Sequence, residues 1–208
     1  MKHRPPTRTR TRVRFADLAP STSANVNTVT GAGAARPRAR RCADAEGKIV
    51  IMPIPEFIRD LRAHVGHAPL WLSGVSGVVV DDSGRVLLTH RADTEEWAVV
   101  SGVLEPGEEP AHAIVREIAE ETGITAAVDR LTSIDVTPMI TYPNGDQTQY
   151  LDVCFLARHV DGEPRVGDDE NLAVAWFSPD DLPEPLAETT RHRVARALDG
   201  DKRAWFHR

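Results

Sequence analysis

The sequence predicts an α/β chain with a mixed central sheet in an α/β/α layer arrangement, and three observations predict it. Short runs rich in Val and Leu, bounded by turn residues, recur on both sides of one helical segment. That segment, from about Pro110 to Thr122, has a single apolar stripe. Two further helical patterns stand near the ends of the patterned chain, Pro55 to Gly66 and Glu188 to Leu198. Strands around one central helix, with helices outside, bury their apolar faces best as layers.

In chain order, Pro55 to Gly66 places Phe57, Ile58, Leu61 and Val65 on one helical face and stops at glycine. It predicts a packing helix that covers the sheet or a dimer partner. Leu70 to Val80 and Arg85 to Thr89 read as two strands of a β-hairpin around the turn Asp81-Asp82-Ser83-Gly84. Trp97 to Val100 is a short apolar strand leading to Ser101 and Gly102. After the central helix, Asp129 to Thr137 and Gln147 to Ala157 read as strands flanking the turn Pro143-Asn144-Gly145-Asp146. Arg165 to Glu170 is an acidic loop and Ala173 to Phe177 a last strand. The closing helix, Glu188 to Leu198, turns Val194 and Leu198 inward.

The chemistry concentrates between Gly102 and Ile124, where six carboxylates fall within 23 residues. Pro110 near the first turn and Gly123 just past the end give the helix its start and stop. Ala111, Ile114, Val115 and Ile118 form the apolar stripe. Glu117, Glu120 and Glu121 lie roughly 115° around the helix from it. Like charges at this spacing repel by a few tenths of a kcal/mol per pair. A hard divalent cation between them turns that repulsion into attraction, because Mg²⁺ takes oxygen ligands. An acidic solvated helix face is the competing reading, and the full spacing decides against it. Gly102, Glu108 and the run Arg116-Glu117-Ile118-Ala119-Glu120-Glu121-Thr122-Gly123-Ile124 match the fixed positions of the Nudix box, so the chain resembles the Nudix hydrolase family.

The resemblance covers about Leu70 to Leu182 and implies the Nudix fold, a mixed-sheet sandwich, together with metal-dependent hydrolysis of a nucleoside diphosphate linked to another group. It implies Mg²⁺ as cofactor, with Mn²⁺ as a substitute, and Glu117, Glu120, Glu121 and the carbonyl of Ser101 as ligands. Glu108 is implied as a further ligand through water or as part of the proton network. Arg116 is implied as an orienting partner of the carboxylates. Glu170, in the acidic loop, stands where family members often add a carboxylate that binds metal or acts as base. Gly102 is expected to let a loop backbone approach the metal. The approach Trp97-Ala98-Val99-Val100-Ser101-Gly102 lacks the Pro and one Gly common in the family. Outside the box, Arg91 is a candidate for meeting a phosphate, and Trp97 and Tyr142 for stacking a base. His64, His67 and His90 have no metal-ligand spacing.

Two downstream positions bear on the substrate. Pro138, fifteen residues beyond Gly123, resembles the ADP-ribose pyrophosphatase branch, whereas Tyr142 resembles a position of dinucleoside polyphosphate hydrolases. ADP-ribose or a nucleotide sugar is slightly favoured. The alternatives are a (d)NTP-sanitising pyrophosphohydrolase and a non-catalytic nucleotide-sensing module; the complete set of box acids argues against the last.

A chain of 208 residues holds one domain, or one domain and an appendage. Residues 1–41 carry ten Lys/Arg against one acid, a net +9, while the rest, with 15 basic and 30 acidic residues, carries −15. The acidic body argues against nucleic-acid binding by the folded part. Residues 1–51 have few apolar residues and no period, and read as a disordered basic tail. A solvated basic tail is the plain reading; its composition also resembles a transit segment, and an upstream-extended start before Met52 competes with that. Residues 52–208 are then the catalytic domain with its packing helices. Two cysteines, Cys42 and Cys154, make no disulfide framework or zinc pattern. The expectation is a cytoplasmic protein with a small-molecule nucleotide substrate, no membrane partner, and a possible homodimer.

Overall fold

Alternation along Leu70–Val80 (β1) sorts the whole sheet into two faces. Val75 and Val79 point one way and Val78 the other, and all three are fully buried. A strand buried on both faces needs cover on both, and the computed structural model, which describes residues 54–208, provides it. β1 runs parallel to Gln147–Asp161 (β7) along its full length, Leu70 opposite Thr148 through Val80 opposite Arg158. β7 pairs antiparallel with Thr125–Val136 (β5), and β5 pairs parallel with Trp205–Phe206 (β9) at the sheet edge. On its other side β1 pairs with Val100–Val103 (β4). Beyond that lie Val86–Arg91 (β2), Trp97–Ala98 (β3) and Asn171–Phe177 (β8), while Ile140–Thr141 (β6) adds to β7.

One face is covered by Pro110–Thr122 (α2), whose Ala113, Ile114 and Ile118 pack on Val75, Val79, Leu87 and Val100. Ile114 and Ile118 are fully buried, each contributing about 1.5–3 kcal/mol. The other face is covered by Glu188–Leu198 (α3), where Val194 and Ala197 meet Val78, Val86, Leu88, Val99 and Cys154. The predicted α/β/α layering and mixed sheet are therefore what the chain forms. The bounds of α2 and α3 coincide with the sequence expectation, and Gly123 ends α2 in the left-handed conformation at φ 70°.

Four expectations are corrected. The β1–β2 hairpin holds at one register pair, Val80 opposite Val86. Beyond it β2 leaves to pair with β8 and β3, because β1 is occupied by β4 and β7. Gly102 lies inside strand β4, opposite Val75, and not in a loop. Leu198, the last residue of α3, is exposed, and Thr190 and Ala197 are buried beside Val194 instead. In the first helix, Glu56–Val65 (α1), only Ile58 is buried, while Leu61 and Val65 stay exposed. That helix is anchored by Arg62, which donates to Gln147 O at 2.8 Å and to Thr148 Oγ1 at 3.1 Å. The tail assigned to residues 1–51 lies outside the described residues. Among the described residues no helix is long and apolar enough to cross a membrane.

Candidate active site

The acidic side of α2 lies against Gly102 of β4, with its last turn beside Asn171 at the start of β8, and three devices bring carboxylates there. The first is Arg116. Its Nε donates to Glu108 Oε1 at 2.9 Å and its Nη2 to Glu108 Oε2 at 3.0 Å, a two-point grip on the loop before the helix. The same guanidinium lies 3.0 Å from Glu117 Oε1 and 3.2 Å from Glu120 Oε2. One arginine thus touches three carboxylates, and its hydrogen bonds hold the Glu108 carboxyl below its usual range. The Glu120 contact is weak, about 0.3–0.5 kcal/mol, because that carboxylate is mostly exposed.

The second device is the close approach of β4. The side chain of Glu117 occupies the space where a Cβ on residue 102 would be, 2.1 Å from Glu117 Oε1, so only glycine admits it. The third is the loop from Gly162 to Glu170, which docks on the last turn of α2. Arg165 N donates to Thr122 O and Gly167 N to Glu121 O, each at 2.9 Å, satisfying carbonyls that a helix end leaves unpaired. Gly167 permits it, since a Cβ there would be 1.8 Å from Glu120 O. The docked loop ends at Glu170, whose carbonyl accepts from Ala92 N at 2.8 Å. The charge of Glu170 is felt at Glu117, Glu121 and Arg91.

Glu121 is the most enclosed member, 2 % exposed. Its Oε2 accepts from Asn171 Nδ2 at 3.0 Å, and its Oε1 has no hydrogen-bond partner. Burial, opposed by the Asn171 hydrogen bond and reinforced by Glu117, pushes its pKa up to about 8. Burial likewise pushes Glu117 up to about 7 against the pull of Arg116, and Glu170 is raised by burial and by Asp168. Arg91, at the end of β2 beyond a bulge, is paired with Asp93 at 2.8 Å. Burial works against its charge, but Asp93, Glu121 and Glu170 outweigh it.

These shifts have a consequence for the metal-free protein. Carboxyls raised in the fold bind protons that the unfolded chain, titrating near 4.5, has already released. The stability they confer is complete below that ordinary value and is lost as pH rises through about 7 and about 8. The melting temperature in chelator is therefore expected to fall between about pH 4.5 and about pH 8, and added Mg²⁺ to flatten the slope. Thermal scans at several pH values, with and without Mg²⁺, check both; a metal-free curve that rises over this window contradicts the assignment.

Not every candidate gathers here. Trp97 lies on the α3 side of the sheet, its ring stacked on His90 at 5.0 Å with the edge of Phe177 against it at 4.8 Å. There it packs against the second core, on the face of the sheet opposite Glu117 and Glu121. Tyr142 follows β6, its hydroxyl 3.0 Å from that of Tyr150. Ser101 sits in β4 opposite Ser76, next to Gly102. Among the described residues no three His, Cys, Asp or Glu side chains are already drawn together around one point. Arg116 and Asn171 hold the carboxylates individually instead. Asn171, Gly167 and Asp93 belong to no motif of the sequence; only the nearness of Asn171 to Glu170 and of Asp93 to Arg91 signals them.

On the α3 side, a cavity of about 180 Å³ is lined by Asp135, Thr137, Pro138, Asp152, His192 and Arg193, among others. Asp152 accepts from Ser76 Oγ at 2.7 Å and pairs with Arg193 at 2.9 Å. Ser76 is the register partner of Ser101, so the cavity and the carboxylates flank the same β1–β4 ladder.

Comparison with known proteins agrees with this architecture. The family model described as the NUDIX domain matches residues 71–198. A MutT-like protein of Streptomyces ambofaciens is 38% identical over 132 residues, covering 64% of this chain and 80% of its own. A putative 8-oxo-dGTP diphosphatase of Bacillus subtilis (strain 168) is 30% identical over 125 residues, covering 60% and 78%. Among solved structures, a MutT NUDIX hydrolase from Burkholderia pseudomallei matches with TM-score 0.50 and 34% identity, over 61% of this chain and 98% of that one.

Proposed function

This chain belongs to the Nudix hydrolase family, and from that premise we propose that it uses Mg²⁺ to hydrolyse a phosphoanhydride bond of a nucleoside di- or triphosphate. The observation that carries the metal is Glu121 Oε1, a buried carboxylate oxygen with no partner, in a site where burial already disfavours the charged form. An unpaired buried carboxylate oxygen is costly in any fold, and a hard cation removes the cost. The glycine cradle that brings Glu117 against β4 fits the same ion.

In this reading Glu117, Glu120 and Glu121 hold the metal, with the carbonyl of Ser101 as a backbone ligand, and Mn²⁺ substitutes for Mg²⁺. The bound cation neutralises phosphate oxygens and lowers the pKa of water. The protein's own groups do the rest. Arg116 keeps Glu108, Glu117 and Glu120 in place against their mutual repulsion. Glu170, raised by burial and set beside these carboxylates, is the group suited to take the proton from the attacking water. Arg91 meets a phosphate at the mouth of the site. The cavity beyond the β1–β4 ladder, with Asp152, Arg193 and His192, offers donors and acceptors to the nucleoside.

Similarity to the putative 8-oxo-dGTP diphosphatase supports a nucleoside triphosphate, oxidised purines included. Pro138, which lines the cavity, keeps ADP-ribose as the second reading. The test compares kcat/KM for oxidised and normal dNTPs, ADP-ribose and diadenosine polyphosphates under one set of conditions, with and without Mg²⁺. A triphosphate substrate yields the monophosphate and pyrophosphate; ADP-ribose yields AMP and ribose 5-phosphate. A clear preference for ADP-ribose overturns the triphosphate reading, and Mg²⁺-independent turnover overturns the metal assignment.

A further inference from the structure

We propose that Asn171 is a positioning residue of the metal site, a clamp that turns Glu121 so that its free oxygen faces the cation and that supplies a second buried acceptor beside it. The inference rests on the hydrolase reading above and adds a residue outside the acidic motif.

Asn171 is the first residue of β8 and is 5 % exposed. It is the register partner of Arg91, across the bulge between His90 and Arg91. Bulges re-aim side chains at the end of a ladder, and here the re-aimed pair stands beside the last turn of α2. The Asn171 amide donates from Nδ2 to Glu121 Oε2 at 3.0 Å. That orientation suits an ionised carboxylate; turned over, the amide would set its oxygen against Oε2, acceptor against acceptor. With Oε2 held, Glu121 presents Oε1, and this atom has no partner.

The same is true of the amide's other end. Asn171 Oδ1 is also buried and without a hydrogen-bond partner. Two unpartnered oxygens on two side chains joined by one hydrogen bond are rare in a packed fold, where such groups are nearly always satisfied. Glu121 Oε1 is an anionic ligand atom; Asn171 Oδ1 is a neutral acceptor suited to a metal-bound water or to the ion itself. Aspartate in its place would set a third charge against Glu117 and Glu121. An aliphatic residue would leave Oε2 unsatisfied and free to turn.

The test is Mn²⁺ binding to the full chain without substrate, by calorimetry or electron paramagnetic resonance, in wild type and Asn171→Leu. Partners of this kind typically change metal affinity by 10–100-fold, so the Mn²⁺ Kd is expected to weaken by at least about tenfold. In the same variant kcat/KM is expected to fall at limiting Mg²⁺ and to recover towards wild type at saturating Mg²⁺, a dependence that a merely structural role would not produce. If the leucine variant does not fold, Asn171→Ala removes the same two groups with less bulk and is held to the same outcome. Wild-type Mn²⁺ affinity in a folded variant overturns the clamp alone. A wild-type chain that takes up no Mn²⁺ overturns the metal reading and the clamp with it.

Discussion

Glu121→Gln is expected to lower kcat/KM by more than about a hundredfold while the chain keeps its fold. Removing a partner of a metal ligand already costs 10–100-fold in affinity or activity, and a lost ligand charge costs more. Glutamine preserves the shape, and its carbonyl accepts from Asn171 Nδ2 in place of Oε2. What disappears is the charge at the unpartnered oxygen. The same substitution removes a buried carboxyl whose pKa stands at about 8, so the metal-free variant is expected to be at least as stable as wild type above that pH. Steady-state kinetics at fixed Mg²⁺ together with melting curves in chelator give both readouts. Wild-type turnover in Glu121→Gln removes Glu121 from the metal site; a variant that is inactive because it is unfolded shows that the buried carboxylate serves packing instead.

The parts of this architecture that were legible in the sequence are those governed by local period and by caps. The bounds of α2 agree because its early proline and Gly123 mark them; of its stripe Ile114 and Ile118 are fully buried, while Val115 is only half-buried and Ala113 stands in the core instead. The bounds of α3 also agree, without an early proline or a glycine cap to mark them, but its period alone points Leu198 inward and the structure leaves it exposed. The hairpin expectation failed on non-local grounds: β2 turns away from β1 because β4 and β7 compete for its edges, and nothing in Asp81–Gly84 encodes that competition.

The site divides the same way. Arg116 and Glu108 are eight positions apart within one motif, whose resemblance implies Arg116 as a partner of the carboxylates, and the structure joins the two at two points. Asn171 and Glu121 are 50 apart and joined through a bulge, beyond the reach of any spacing rule. The loop before β8 reads as an acidic segment in the sequence, and it is docked on α2 through Arg165 N and Gly167 N, backbone donors that carry no compositional signal. Residue type alone makes Trp97 a stacking candidate; which face of the sheet it takes depends on β3 pairing with β2, and that pairing sets it against the second core.

Gly102→Ala is expected to separate activity from stability more sharply than any other single change here. A Cβ at residue 102 would fall 2.1 Å from Glu117 Oε1 and 2.6 Å from its Cγ, so Glu117 must move. The atoms that yield are the far end of a flexible side chain at the surface of the site, and the backbone need not shift. Residue 102 lies in a strand, where alanine loses less conformational entropy than glycine, by roughly 0.5–1 kcal/mol. The melting temperature should therefore hold or rise slightly. Activity should fall by about a hundredfold, the typical consequence of displacing a reacting group by about 1 Å. Gly167→Ala supplies the contrast, because its Cβ would fall 1.8 Å from Glu120 O, a backbone atom that cannot swing aside. That variant is expected to lose about 1–3 kcal/mol of stability, with activity lost through the undocked loop. Kinetics and thermal unfolding on both variants decide the matter. If Gly102→Ala turns over like wild type, the position of Glu117 against β4 is not part of the catalytic geometry. If it instead melts as early as Gly167→Ala, the cradle is a packing device and Glu117 does not yield.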